Sequence, residues 1–183
     1  MAYLRTLRFN NTIMETNINI LSAIYNRVVP INDKYCIVNT RRRYGIADVN
    51  TGKTVLDIKY TEYYIYNDAG IVVLFDLMEA ATIVFNNSTG KYIEIANLYK
   101  FSNSIGEAMF FHQVRTSSGM TRTMIIRRDT MRVLLEPTIV SVIEPVNSDG
   151  VLVRMKLFNS GYNIDNLFYS LTDQYKIKAD GIG

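Results

Sequence analysis

Among its 183 residues the sequence has one cysteine, one histidine, three prolines and no tryptophan. A lone thiol cannot form an internal disulfide, so a secreted domain held together by cystines is excluded. Cys36 sits between Tyr35 and Ile37 in an apolar run, where a buried, inert thiol is expected. A single histidine leaves a zinc site or a His-centred dyad short of the partners it requires. No apolar run approaches the ~18 residues of a membrane span, so no membrane insertion is expected. Met1–Arg8 lacks the continuous apolar core of a signal peptide, which points to cytoplasmic synthesis without export. The Asn-x-Ser/Thr triplets at Asn10, Asn86 and Asn87 then read as turn residues rather than glycan acceptors. Charge of one sign is also scarce, since 20 Lys and Arg against 17 Asp and Glu leave only +3. Binding by phosphate neutralisation needs several cations on one face, and a surplus of three supplies no such field by itself.

What is present is strand-forming. Thirteen tyrosines and eight phenylalanines accompany many Ile and Val, and such side chains pack well on a pleated surface. With 48% hydrophobic and 20% charged residues the composition is that of a globular chain rather than a disordered one. A chain of this length buries roughly 70% of its unfolded surface and needs neither disulfide nor metal to hold together.

Residues 1–31 form an N-terminal segment expected to pack on the remainder. Tyr3–Phe9 reads as a strand and Asn10-Asn11-Thr12 as a turn. Ile20, Leu21, Ile24, Tyr25 and Val28 fall at helical spacing with Asn19 available as N-cap, while Ile18–Ile24 can also be read as a strand. From residue 32 to 183 a repeat emerges. Its marker is a glycine opening a strand: Gly70 before Ile71–Phe75, Gly106 before Glu107–Phe111, Gly150 before Val151–Val153. Lys34 takes that place before Tyr35–Val38. The markers stand 36, 36 and 44 residues apart, and the polar stretch Thr116–Thr121 lengthens the third step as a hairpin-tip insertion.

The units run near 32–67, 68–103, 104–147 and 148–183. Each carries two more strands around a polar turn: Gly45–Val49 and Thr54–Ile58 around Asn50–Lys53, Thr82–Phe85 and Tyr92–Ile95 around Asn86–Lys91. Later come Thr123–Arg127 and Arg132–Leu135 around Arg128–Met131, then Leu167–Ser170 and Tyr175–Lys178 around Leu171–Gln174. Asn and Gly supply the positive-φ positions of tight hairpins, so the first two copies keep the turn chemistry and the last two have lost it. Asp76–Ala81 occupies another hairpin tip. Aromatic connectors, Tyr60–Tyr66, Leu98–Phe101 and Val140–Val146, then close the units. The expected fold class is all-β, with about four antiparallel three-stranded units forming a propeller-like arrangement, a barrel or an open array.

Tyr44-Gly45, Asp48, Gly52-Lys53, Val55-Leu56 and Tyr60, followed by Asn67–Val73, resemble the WG-repeat family. The resemblance is specific over Tyr44–Val73 and extends over 32–183 at most. The aromatic-Gly pair is replaced by Ala81-Thr82, Arg122-Thr123 and Asn166-Leu167 in the later copies. It implies a β-repeat scaffold without catalytic residues, read generally as an interaction module.

The candidate contact surface joins Arg41, Arg42, Arg43, Arg127 and Arg128 with Tyr63, Tyr64 and Tyr66. Arginines hold phosphates or carboxylates, and aromatic faces stack bases or sugars. Arg41–Arg43 lies where two strands must turn, so exposure is nearly forced. Against this, a hairpin tip is ordinarily solvated and tyrosines ordinarily line a core with hydroxyls at its rim. His112, next to Phe111, reads as a surface strand residue. Asp48, Asp57 and Glu62 flank turns or strand ends, where capping is the usual role of a carboxylate. Thr51-Gly52-Lys53 and Thr89-Gly90-Lys91 have strands on both sides, so they are hairpin turns and not phosphate-binding loops. No catalytic, cofactor or metal residue is assigned. The expectation is a non-enzymatic structural or interaction protein, a scaffold or subunit of a larger assembly such as a phage virion, with protein subunits as partners. Its Asn-, Ile- and Tyr-rich composition fits a low-GC genome of that kind. The alternative is nucleic-acid or glycan binding through the arginine tip and tyrosines.

Overall fold

A computed structural model of the chain describes the backbone of residues 14–114, 122–145, 152–159, 162–170 and 176–177, and the side chains of residues 14–114 and 122–134. The expected strand Tyr3–Phe9, the turn after it, the insertion Thr116–Thr121, the Gly150 marker and the turn Leu171–Gln174 lie outside the described residues. A helix, α1, spans residues 14–24, and every later regular element among the described residues is a strand. The protein is all-β.

The first sheet is formed by β1 (Arg27–Pro30), β2 (Tyr35–Thr40), β3 (Arg43–Asp48) and β4 (Thr54–Tyr60), neighbours in sequence being neighbours in space. The second follows the same order with β5 (Glu62–Tyr66), β6 (Ile71–Asp76), β7 (Ala81–Asn86) and β8 (Tyr92–Ala96). β9 (Tyr99–Ile105), β10 (Ala108–Gln113), β11 (Arg122–Arg127), β12 (Arg132–Pro145), β13 (Leu152–Asn159), β14 (Tyr162–Ser170) and β15 (Lys176–Ile177) form a seven-stranded sheet, again in sequence order. Within it β12 is shared: Arg132–Ile139 pair with β11, and Val140–Pro145 pair with β13. The seven strands are thus two four-stranded antiparallel meanders joined by one long strand.

The sheets hold four strands, not three. Tyr60–Tyr66, Leu98–Phe101 and Val140–Val146, expected as connectors, run into β5, β9 and the second half of β12. No turn residue announces the first of these boundaries. Thr61 alone separates β4 from β5, and its N–H and hydroxyl both donate to the Phe75 carbonyl, at 2.7 and 2.9 Å. One residue bonded in this way changes sheets without a loop.

The chain divides into two compact units, Met1–Glu94 and Ile95–Gly183. In the first, the two sheets face each other. Tyr35, Ile37, Ile46, Leu56 and Tyr60 come from the first sheet, and Val72, Leu74, Ile83 and Phe85 from the second. The Tyr35 ring meets Phe85 edge-on, with centroids 5.1 Å apart and planes at 89°, the arrangement the ring quadrupoles favour. β6 and β7 are buried along their whole length, hence on both faces. Strands of that kind read as continuous apolar runs rather than alternating ones.

α1 covers the other face of the first sheet. Leu21 is 2% exposed and packs with Cys36, Val38, Ala47 and Val49, with Met14, Ile18 and Tyr25 around them. Positions 14, 18, 21 and 25 form one helical stripe. Helical spacing was the right reading of this segment and strand the wrong one, but of the expected positions only Leu21 and Tyr25 lie on the stripe, and Val28 belongs to β1. Ile20 and Ile24 point outward, 57% and 68% exposed, and Asn19 lies inside the helix rather than capping it.

Gly45 explains half of the Tyr44-Gly45 pair. The β3–β4 register shifts on either side of Ile46, and this irregularity draws the two backbones together. A Cβ on residue 45 would stand 2.6 Å from the Leu56 carbonyl oxygen and 2.9 Å from that of Asp57. Tyr44 supplies the other half, stacking at a tilt on Tyr63 of the next sheet with centroids 4.8 Å apart.

Three substitutions test this packing. Gly45→Ala should lower the urea midpoint by the equivalent of about 1–3 kcal/mol, because backbone rather than a mobile side chain must yield. Leu21→Ala should cost about 2–4 kcal/mol by leaving a cavity under α1. Ile24→Ala should stay within about 0.5 kcal/mol. Equal effects of the two helix substitutions would show that α1 is not docked through the Leu21 face.

Candidate functional site

The hairpin ends of the first unit differ in what their side chains do. At one end lie the β1–β2 loop, the β3–β4 tip, the β5–β6 turn and the β7–β8 tip. Asn32 Nδ2 donates to the Asn87 carbonyl at 2.8 Å, Asn87 N–H to the Gly70 carbonyl at 2.9 Å, and Val49 N–H to the Lys34 carbonyl at 2.8 Å. The two expected turns there have the same construction. Asp48 Oδ1 accepts from the Asn50 and Thr51 amides at 2.9 and 2.8 Å, and Asn86 Oδ1 from the Ser88 and Thr89 amides at 2.9 and 3.0 Å. Four residues beyond each acceptor sits a left-handed glycine, Gly52 at φ +70° and Gly90 at φ +73°. A side chain at Gly90 would also run into the Tyr35 hydroxyl. Asp48 is therefore a turn cap, and Lys53 and Lys91 complete hairpins.

Strand alternation carries the β2–β3 tip, the Thr61 corner and the β6–β7 tip to the opposite end. Thr40 pairs with Arg43, leaving Arg41 and Arg42 as a two-residue turn. Both are left-handed, at φ 50° and 64°, as a type I′ hairpin requires. Asn-Gly is the sequence that turn prefers, and an L-side chain in this region costs roughly 1–2 kcal/mol. Arg41 and Arg42 are exposed, and among the described residues neither guanidinium has a partner. Arg43 differs, being half-buried with Nη1 donating to the Lys59 carbonyl at 3.1 Å. Lys59 extends over the Tyr60 ring, Nζ 5.4 Å from its centroid.

The β6–β7 tip at the same end is apolar. Leu77 and Met78 are 48% and 80% exposed. Buried Asp76 holds them in place, Oδ1 accepting from the Met78 and Glu79 amides at 3.0 and 3.2 Å, while Leu77 N–H donates to Thr61 Oγ1 at 3.2 Å. Ala80 closes the turn at φ 50°. Sequence reading missed Leu77 and Met78 as surface groups. Their only signal was an apolar pair placed at a tip rather than in a strand.

The three tyrosines divide between the two faces of β5. Tyr63 lies between the two sheets against Tyr44. Tyr64 and Tyr66 project from the other face of β5, rings 6.5 Å apart and nearly parallel, with Tyr64 also edge-on to Phe75. Burial, ahead of neighbouring Tyr64, raises the Tyr66 phenol above its ordinary pKa. Tyr60 is buried, and burial first, then nearby Glu94 and Asp57, pushes its phenol up to about 12.

Arg127 and Arg128 belong to the second unit and hold carboxylates there. Arg127 Nε donates to Asp129 at 2.8 Å. Arg128 reaches both oxygens of Glu107 at 3.2 Å and donates to the Gly106 carbonyl at 2.7 Å. In the same unit His112 is half-buried rather than a surface residue, with Nδ1 2.9 Å from Thr123 Oγ1, its register partner across β10–β11. The β9–β10 register shifts between Phe110 and Phe111, both are buried, and simple inside–outside alternation fails there. Burial lowers the His112 pKa. Burial likewise pushes the Cys36 thiol up to about 11, which keeps it protonated and inert at neutral pH.

Among the described residues no three His, Cys, Asp or Glu side chains gather as metal ligands, and no helix is long and apolar enough to cross a membrane. No family model matches the chain, and no curated protein is significantly similar to it. Among solved structures it is similar to Kluyveromyces lactis Hsv2p, at 12% identity and a TM-score of 0.35, over 81% of this chain and 47% of that one. It is also similar to the AfRom2 CNH domain, at 15% identity and a TM-score of 0.35, over 81% of this chain and 52% of that one. The chain spans about half the length of these two neighbours.

Proposed function

We propose that this protein is a non-enzymatic scaffold, a stack of blade-like four-stranded sheets acting as an interaction module or as a subunit of a larger assembly such as a phage virion. The observation that carries the reading is the double-sided burial of the first unit. Its two sheets are cemented face to face, and α1 occupies the remaining face of the first sheet. A repeat stack needs such a terminal cap, and its working surfaces are then its tips and edges. Side-chain use supports the same reading, since Asp48, Asp76 and Asn86 give their oxygens to turn amides. The role of Tyr44-Gly45 in bulge and sheet contact supports kinship with WG repeats.

Nucleic-acid or glycan binding draws less support, because the Tyr64–Tyr66 pair projects from the face of β5 opposite Tyr63. Sedimentation or light scattering at micromolar concentration tests the assembly reading. The expected result is a mass well above the 21.0 kDa monomer, or a stable complex with a co-purifying subunit. A strict monomer that purifies alone would overturn it.

A further inference from the structure

Tight turns need left-handed backbone at one or two positions, and glycine supplies it without steric cost. The two ends of the first unit meet that need differently. At the end of Asp48 and Asn86 the left-handed residues are Gly52, Gly70 and Gly90; at the opposite end they are Arg41, Arg42 and Ala80. Strain retained in a rigid scaffold is informative when the strained residues also face solvent. Arg41 and Arg42 do, with no partner among the described residues, and on the adjacent tip Leu77 and Met78 are the outward groups.

We propose that these two tips together form a docking surface for a protein partner that presents carboxylates beside an apolar patch. The proposal rests on the interaction-module reading and names its surface. Stacked sheets lie about 10 Å apart, so both tips fit beneath one partner face of about 800 Å². Arginine and methionine are enriched in protein interfaces, and a guanidinium pairs with a carboxylate through two parallel hydrogen bonds. The amide bonds from Asp76 and Thr61 fix the Leu77–Met78 tip beforehand, which reduces the ordering cost of association. Nucleic acid fits less well, because Leu and Met are not stacking platforms for bases.

The test is to pan the full chain against a displayed library of random peptides about a dozen residues long, then measure binding of a selected synthetic peptide. Enrichment of Asp or Glu next to Leu, Ile or Phe is expected. Arg41→Asn/Arg42→Gly writes the turn in its preferred residues, so it should raise the thermal midpoint by about 4 °C while weakening the peptide roughly tenfold or more. Leu77→Ser/Met78→Ser should weaken it similarly with the midpoint unchanged, and Lys53→Ser/Lys91→Ser at the opposite end should have no effect. Equal binding by wild type and both tip variants would overturn the placement and leave the interaction reading intact. Tip-dependent binding of an oligothymidylate or of phosphatidylserine vesicles, with no peptide enriched, would overturn the protein partner. A tip variant that gains stability without losing affinity would overturn the link between strain and docking.

Discussion

Both faces of the first four-stranded sheet are apolar, and most of the first unit follows from covering them. Val38, Cys36 and Ala47 point to one side while Ile37, Ile46 and Tyr35 point to the other. The second sheet takes one side and α1 takes the other. Removing either would expose a contiguous apolar surface larger than a soluble monomer ordinarily tolerates. Gly45 matters for the same reason. It lets β4 approach β3 closely enough for Leu56 to reach the inter-sheet layer while Tyr44 stays aligned with Tyr63. A side chain there would disturb an entire layer, not one contact.

Much of this was legible in the sequence because the information is local. Asp48-x-Asn-Thr-Gly-Lys and Asn86-x-Ser-Thr-Gly-Lys state their turns within six residues: a side-chain acceptor, a left-handed glycine and strands on either side. The sheet boundary at Thr61 was not legible, because a one-residue corner stabilised by two bonds to a distant carbonyl carries no glycine, proline or asparagine. The face of α1 was not legible either. Ile20, Ile24, Leu21 and Tyr25 all satisfy helical spacing, and only docking on β2 and β3 selects the row through Met14, Ile18, Leu21 and Tyr25.

The candidate site was read with mixed success for a related reason. That Arg41–Arg43 stands at a hairpin tip follows from the strands on either side. That Arg41 and Arg42 are left-handed does not, since such turns are ordinarily written Asn-Gly. The alternation of Glu62–Tyr66 already places Tyr63 opposite Tyr64 and Tyr66, so grouping the three tyrosines joined residues that a strand must separate. Arg127 and Arg128 looked like part of a cationic surface because sequence shows charges without their partners, here Asp129 and Glu107.

Strain at the Arg41–Arg42 turn is affordable only because the sheet behind it is over-determined. β2 and β3 pair in unbroken register from Tyr35–Asp48 to Thr40–Arg43. Asn39 Nδ2 ties that end to the Arg43 carbonyl at 2.9 Å, and the Arg43 side chain ties β3 to β4 through Lys59. With the flanking residues held in this way, relaxing Arg41 and Arg42 to right-handed conformations would splay both strands and break the ladder. The turn therefore stays left-handed whichever side chains occupy it. Glycine would occupy it at lower steric cost, as it does in three turns at the other end. Two arginines at such positions carry a steric cost that no contact among the described residues offsets.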